Sequence, residues 1–342
     1  MNTSETQSNH GESAELMERI LYEVKRVVVG QDRFLERVMV ALLAQGHLLV
    51  EGVPGLAKTL TVKTLANAVQ GSFKRIQFTP DLVPADLVGT RIYNQKSGEF
   101  STVVGPVFAN LLLADEINRA PAKVQSALLE VMQERQVTIA GETHKVPNPF
   151  VVMATQNPIE TEGTYPLPEA QVDRFMMKVI VDYPSDEEEF VIVQRVTGPR
   201  LDLVPIATTE QLQALQQACR EVYVDPALIQ YAVKLVGATR DPSRVGLAEL
   251  KRFITYGASP RGTINLTEAS RALALMRGRR YVLSDDMTDL VHDVLRHRLV
   301  LSYEALSDGI SADAIISKIM AKVSAPAKPL QSPSLADELK AA

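Results

Sequence analysis

Gly52-Val53-Pro54-Gly55-Leu56-Ala57-Lys58-Thr59 is the stretch on which the fold turns. It follows a short apolar run at 47–50 and precedes a helical pattern at 60–69. A glycine-rich turn between a strand and a helix lets successive backbone N–H groups converge on a polyphosphate, and the helix N-terminus adds its positive dipole end. In such a loop the lysine reaches the β- and γ-phosphates, and the hydroxyl beside it ligates Mg²⁺. The usual glycine at the sixth position is replaced here by Ala57. Taken alone, the motif also fits an ordinary strand-to-helix turn, so the flanking segments decide.

Outward from the loop, the runs at 73–78, 111–114, 150–154 and 177–181 are short and mostly apolar. That pattern belongs to strands buried on both faces of a parallel sheet. The intervening segments are long enough for crossover helices, and 121–135 sets Val124, Leu128, Val131 and Met132 on one face. Upstream, Leu16, Ile20, Leu21, Val24 and Val28 form a helical stripe that Gly30 breaks, and a second helix runs from Asp32 to about residue 44. The alternation predicts an α/β fold, a three-layer core around a parallel sheet. Past residue 182 only helical patterns remain, at 186–196, 209–222, 226–237, 260–278 and 284–297, so a smaller all-helical domain should follow. The expected organisation is a disordered polar leader at 1–13, an α/β core at 14–184, a helical lid at 185–322 and a flexible Pro- and Ala-rich tail at 323–342.

Several polar residues fall where such a sheet presents its ligand edge. Asp115-Glu116 ends the run at 111–114: the first acid suits Mg²⁺ positioning and the second suits orienting and deprotonating a water. A solvated strand end is the plainer alternative. Asn157, in Thr155-Gln156-Asn157-Pro158, could hold a water or a γ-phosphate, or simply turn the chain before proline. Arg174, in Asp173-Arg174-Phe175, could stabilise charge during phosphoryl transfer in its own subunit or across an interface, or form a surface pair with Asp173. Arg261, in Ser259-Pro260-Arg261-Gly262, opens a helix of the second domain and could reach back to a nucleotide.

Composition narrows the class. The 342 residues carry 36 basic and 41 acidic side chains, a net charge of −5, with 46% hydrophobic residues and one cysteine. Length suits two domains, and the composition is globular. A single cysteine excludes a disulfide framework and any multi-cysteine zinc site, and suits a reducing compartment. The acidic balance argues against a nucleic-acid coat or polybasic membrane anchor. No apolar run long enough for a membrane span is seen, and the polar, acidic start is unlike a signal peptide, so a cytoplasmic protein is expected. Cys219 reads as a small core residue. His292 and His297 are five apart and His10, His47 and His144 are isolated, so no transition-metal site is expected. Arg277, Arg279 and Arg280 read as a solvated turn rather than a nucleic-acid patch.

Taken in order, these residues resemble an AAA+ ATPase of the MoxR family, over about residues 15–322. Residues 52–59 resemble its Walker A loop, including the alanine at position six, and Asp115-Glu116 with the following Ile-Asn118-Arg119 resembles its Walker B. Asn157 resembles sensor 1, Arg174 the arginine finger, Arg261 sensor 2, and Val29-Gly30-Gln31 the segment lining the adenine pocket. Two expected β-hairpins, near 86–106 around Lys96-Ser97-Gly98 and at 136–147, resemble the helix-2 and pre-sensor inserts of this clade.

The resemblance implies ATP and Mg²⁺ as ligands, with Thr59 and Asp115 at the metal and Glu116, Asn157, Arg174 and Arg261 in catalysis. It also implies a homohexameric ring in which Arg174 completes a neighbour's site. The expected task is chaperone-like remodelling or maturation of a client protein complex, metal-cofactor insertion included, with a von Willebrand factor A-domain partner. A nucleic-acid-dependent motor of the same clade is the rival reading. The net charge and the lack of a nucleic-acid-binding module argue against it. A scaffold that binds ATP without hydrolysis is opposed by the intact Glu116, Asn157 and Arg174.

Overall fold

The computed structural model describes residues 3–326 apart from 54, 97, 159–162 and 200, with backbone alone for 3–11. Chain order begins α1 (Thr3–Val27), α2 (Asp32–Leu43), β1 (Leu48–Glu51), α3 (Lys58–Ala68), β2 (Phe73–Gln77), α4 (Pro84–Val88), β3 (Gly89–Asn94) and β4 (Glu99–Val104). It continues with β5 (Leu111–Asp115), α5 (Ala122–Glu134), β6 (Gln136–Ile139), β7 (Glu142–Lys145), β8 (Val151–Gln156), α6 (Glu169–Val172), β9 (Met177–Ile180) and α7 (Asp186–Thr197). The remainder is α8 (Thr209–Arg220), α9 (Pro226–Arg240), β10 (Ile254–Tyr256), α10 (Pro260–Met276), α11 (Ser284–Leu295), β11 (Val300–Leu301), α12 (Tyr303–Ser307) and α13 (Ala312–Lys322).

Five strands form one sheet in the order β2-β5-β8-β1-β9, and the β2–β5, β5–β8 and β8–β1 pairings are parallel. Residues 48–50, 111–114 and 151–155 are all buried, which is why these three strands read as continuous apolar runs. Phe78, Leu128, Met132, Phe150 and Phe175 fill the core on one face. Because β8 lies between β1 and β5, the C-terminal ends of all three open on the same edge of the sheet. At the opposite end, buried His47 ties two neighbours together. Its Nε2 lies 3.1 Å from the Met132 carbonyl, and its Nδ1 accepts the Val152 N–H at 3.0 Å. Burial, then the nearby Arg135, push its pKa down to about 3.

Both expected hairpins are present. In β3–β4, Tyr93 faces Phe100, with ring centroids 5.0 Å apart, while Ile92, Tyr93 and Phe100 stay exposed. In β6–β7, Val137 faces His144.

Contacts divide the chain into one compact unit, Leu16–Phe175 with Val179–Ala214, and a second unit that takes in the residues from Leu215 onward. The division therefore falls near 214 rather than at the expected 184. Ile206 and Ala207 donate to the Ala68 carbonyl at 2.8 and 3.0 Å, and the Val204 N–H donates to Glu23 Oε1 at 3.0 Å, which holds 185–214 to the sheet unit. The later part is not all-helical either: β10 and β11 pair antiparallel, but at three and two residues they are too short for a period-two signal. Helix α1 begins at Thr3, within the expected disordered leader, since extending a helix needs no new nucleus. Residues 323–326 have no regular structure, and the rest of the expected tail lies outside the described residues.

Arg277 and Arg279 of the arginine cluster are paired within the fold. Asp286 is fully buried and accepts from Arg277 at 2.9 Å and from Arg279 at 2.6 Å, while Arg277 also reaches Asp289 at 2.7 Å. Cys219 is buried, and burial pushes its thiol up to about 12, as suits a small core residue. Among the described residues no helix is long and apolar enough to cross a membrane.

Candidate functional site

The glycine-rich loop leaves β1 at Glu51 and enters α3 at Lys58, two residues before the sequence pattern places the helix. Gly52 is fixed by space: a Cβ there would meet the Val181 carbonyl oxygen at 2.6 Å. Ala57 stands at φ 54°, left-handed backbone that glycine adopts freely and that costs an alanine about 1 kcal/mol. Lys58 Nζ donates to the Gly52 carbonyl at 2.7 Å across the loop. Burial holds its ammonium below the ordinary lysine range, an effect that Asp115 and Glu116 oppose. Pro54 lies outside the described residues.

A cleft of about 390 Å³ opens over this loop. Gly52, Gly55, Leu56, Ala57, Lys58 and Thr59 line it from one side; Asp115, Glu116 and Asn157 line it from the ends of β5 and β8. Thr155, buried on β8, links the two acids: its hydroxyl donates to Asp115 Oδ1 and accepts the Glu116 N–H at 2.9 Å. That bond anchors Glu116 in the left-handed region at φ 55°. The Glu116 carboxylate takes the Gln77 amide at 2.7 Å and pairs with Arg119 at 3.1 Å. Arg75 donates to Asp115 Oδ2 at 2.6 and 3.1 Å and also lines the cleft.

A second chamber lies on the far side of the loop. Val27, Val29 and Gln31 form one wall, Leu56, Ala57 and Leu60 another, and Pro184, Ile192, Arg195 and Val196 a third. Gly30 makes the turn at φ +66°, and Gln31 Nε2 donates to the Asp182 carbonyl at 3.0 Å. The cleft is polar and acid-bearing and the chamber mostly apolar, and they share Gly55, Leu56, Ala57 and Leu60. Such a pair matches a molecule with a charged end and a flat heterocyclic end.

Four expected residues stand elsewhere. Gly30 and Val53 line neither cavity. Arg174 follows α6, donates to the Leu129 carbonyl at 3.1 Å, and does not line this chain's cleft. Arg261 is exposed on the other unit as the second residue of α10, its N–H bonded to the Ser259 hydroxyl at 3.1 Å. Conversely, Arg75, Gln77 and Thr155 went unassigned in the sequence. The first two share one face of a polar, half-exposed β2, and Thr155 sits in the polar run that drew attention to Asn157.

The Thr59 hydroxyl and Asp115 carboxylate on the cleft are hard oxygen donors, and that donor set fits Mg²⁺ held jointly with substrate phosphates. The arrangement can therefore bind a polyphosphate and bring a carboxylate base against a water beside it.

Comparison with known proteins points the same way. Residues 47–177 match the family of ATPases associated with various cellular activities (AAA), and residues 249–319 match an AAA lid domain. The chain is 54% identical over 331 residues to chaperone MoxR1 of Mycobacterium tuberculosis, covering 95% of this chain and 87% of that one. It is 31% identical over 317 residues to protein MoxR of Methylorubrum extorquens, covering 86% and 90%. The crystal structure of a candidate ATPase from Cytophaga hutchinsonii superposes with a TM-score of 0.90 at 46% identity, covering 94% and 98%.

Proposed function

Because the chain belongs to the MoxR family of AAA ATPases, we propose that it hydrolyses Mg-ATP at the cleft beside residues 52–59 and couples that reaction to remodelling a client protein complex. The observation that carries this reading is the convergence of Lys58, Thr59, Asp115, Glu116 and Asn157 on one cleft. Loop amides and Lys58 bind the phosphates. Glu116 takes a proton from the attacking water and Asn157 orients that water. The water oxygen bonds to the γ-phosphorus as the bond to the β–γ bridging oxygen breaks, giving ADP and phosphate. Thr59 and Asp115 would hold Mg²⁺, which neutralises phosphate charge when bound. The base lies in the chamber with Val29 and Gln31, against the turn at Gly30.

In this proposal copies of the chain form a hexameric ring, the sheet unit reaching to about residue 214 supplies the nucleotide core and the helices beyond it supply the lid. Arg174 serves a neighbour's cleft, and Arg261 contacts the γ-phosphate from the lid. The exposed rings of β3–β4 face the client. A von Willebrand factor A-domain partner, a cytoplasmic setting and maturation of metal-containing complexes complete the reading, supported by family membership.

The test is a mixture of two variants, each inactive alone: Glu116→Gln and Arg174→Ala. With random one-to-one assembly in a head-to-tail ring, about a quarter of interfaces pair an intact Glu116 with an intact Arg174. Recovery of ATPase activity toward about that fraction supports Arg174 acting between subunits. No recovery in assemblies that demonstrably contain both variants counts against it.

A further inference from the structure

We propose that Arg195 is the base-reading residue of this ATPase, donating a hydrogen bond from Nη1 to a ring nitrogen of adenine. The inference rests on the chamber beside the loop being the adenine end of the ATP site. Arg195 lies on α7 and lines that chamber together with Val29, Gln31, Leu56 and Leu60, and it also borders the neighbouring groove beside Arg26 and Gln194. Its Nη1 is buried and has no hydrogen-bond partner among the described residues. A guanidinium donates and never accepts, and a buried donor left unmade is costly, so the group requires an acceptor.

Little else among the described side chains of the chamber can read a base. Val27, Val29, Leu56, Leu60, Ile192 and Val196 offer only apolar contact, and the Gln31 amide nitrogen is engaged by the Asp182 carbonyl. A flat heterocycle entering between these walls gains apolar contact on its faces and brings acceptors on its edge. Adenine has three ring nitrogens, N1, N3 and N7, able to accept, whereas its exocyclic amine donates and would meet the guanidinium unfavourably. Arg195 therefore orients the base by a ring nitrogen, which fixes the direction in which the phosphates leave the chamber toward Lys58.

The test is calorimetric binding to the full chain in Mg²⁺-free buffer, where turnover does not interfere. Titrants are ATP, its 1-deaza, 3-deaza and 7-deaza analogues and 2′-deoxy-ATP. Arg195→Leu is expected to weaken ATP binding about tenfold, the scale of one buried hydrogen bond from a charged donor. One deaza analogue should lose a similar factor on the unaltered protein and nothing further on the variant. Equal ATP affinity in the variant, the same loss with every analogue, or coupling to 2′-deoxy-ATP alone would overturn the assignment. Thermal unfolding checks that the variant folds; should it not, Arg195→Met, which keeps the length of the side chain but has no N–H, puts the same question. Lys58→Ala separates the two readings. If it abolishes ATP binding while Arg195→Leu changes nothing, the site stands and the base-reading role falls. If neither change matters, the ATP site itself is misplaced.

Discussion

Acidification should loosen the sheet beneath the nucleotide site through one side chain, His47. The imidazole donates from Nε2 to the Met132 carbonyl and accepts at Nδ1 from Val152, so its neutral form satisfies both partners. Protonation replaces the acceptor with a second donor aimed at an N–H, in a setting only 6% exposed. The folded pKa is about 3 against 6.5 for an unburied imidazole. A folded value depressed in this way leaves stability unaffected above about pH 6.5 and erodes it as pH falls from there toward 3, because the unfolded chain takes up the proton first. Between pH 7 and pH 5 the loss from this one group is about 2 kcal/mol. The assay is urea unfolding followed by circular dichroism at pH 7, 6 and 5, on the native chain and on His47→Gln. The glutamine amide offers one donor and one acceptor without titrating. The native chain should lose about 2 kcal/mol more than the variant over that range. Identical pH profiles would refute the reasoning and mean that His47 is hydrated or protonated in the fold.

Two changes at the cleft follow from its hydrogen bonds. Thr155→Val removes the hydroxyl that joins Asp115 to the Glu116 N–H, leaving a part-buried donor unmet. Stability in urea should fall by about 1–3 kcal/mol, turnover should fall at least about tenfold, and Thr155→Ser should restore both. Arg75→Met frees Asp115 Oδ2 of an ion pair whose arginine is 48% exposed. Such a pair is weak, so the Mg²⁺ concentration for half-maximal binding of a fluorescent ATP analogue should drop only about two- to fivefold; a rise would mean that Arg75 assists the phosphates instead.

The central strands were legible because burial on both faces writes itself as an unbroken apolar run, as in Leu111, Leu112, Leu113 and Ala114. The loop was legible because its chemistry is contiguous in sequence. What escaped depends on pairing between distant segments. Gln77 meets Glu116 because β2 registers Gln77 against Asp115, a relation no local pattern contains. Thr155 acquires its role from two residues of the neighbouring strand. Likewise, the unit boundary near 214 is set by backbone bonds to Ala68, well over a hundred residues away in sequence. Arg195 gave no signal in a helix otherwise read by its periodicity; only the wall it shares with Val29 and Leu56 gives it meaning.

The most direct test of the account is Glu116→Gln, with ATP affinity and steady-state turnover measured on the same preparation. Glu116 lines the cleft without belonging to the phosphate loop. ATP should therefore bind within about threefold of the native affinity while turnover falls about a hundredfold or more, the scale of removing a general base. Native turnover in the variant would contradict the account, as would loss of ATP binding.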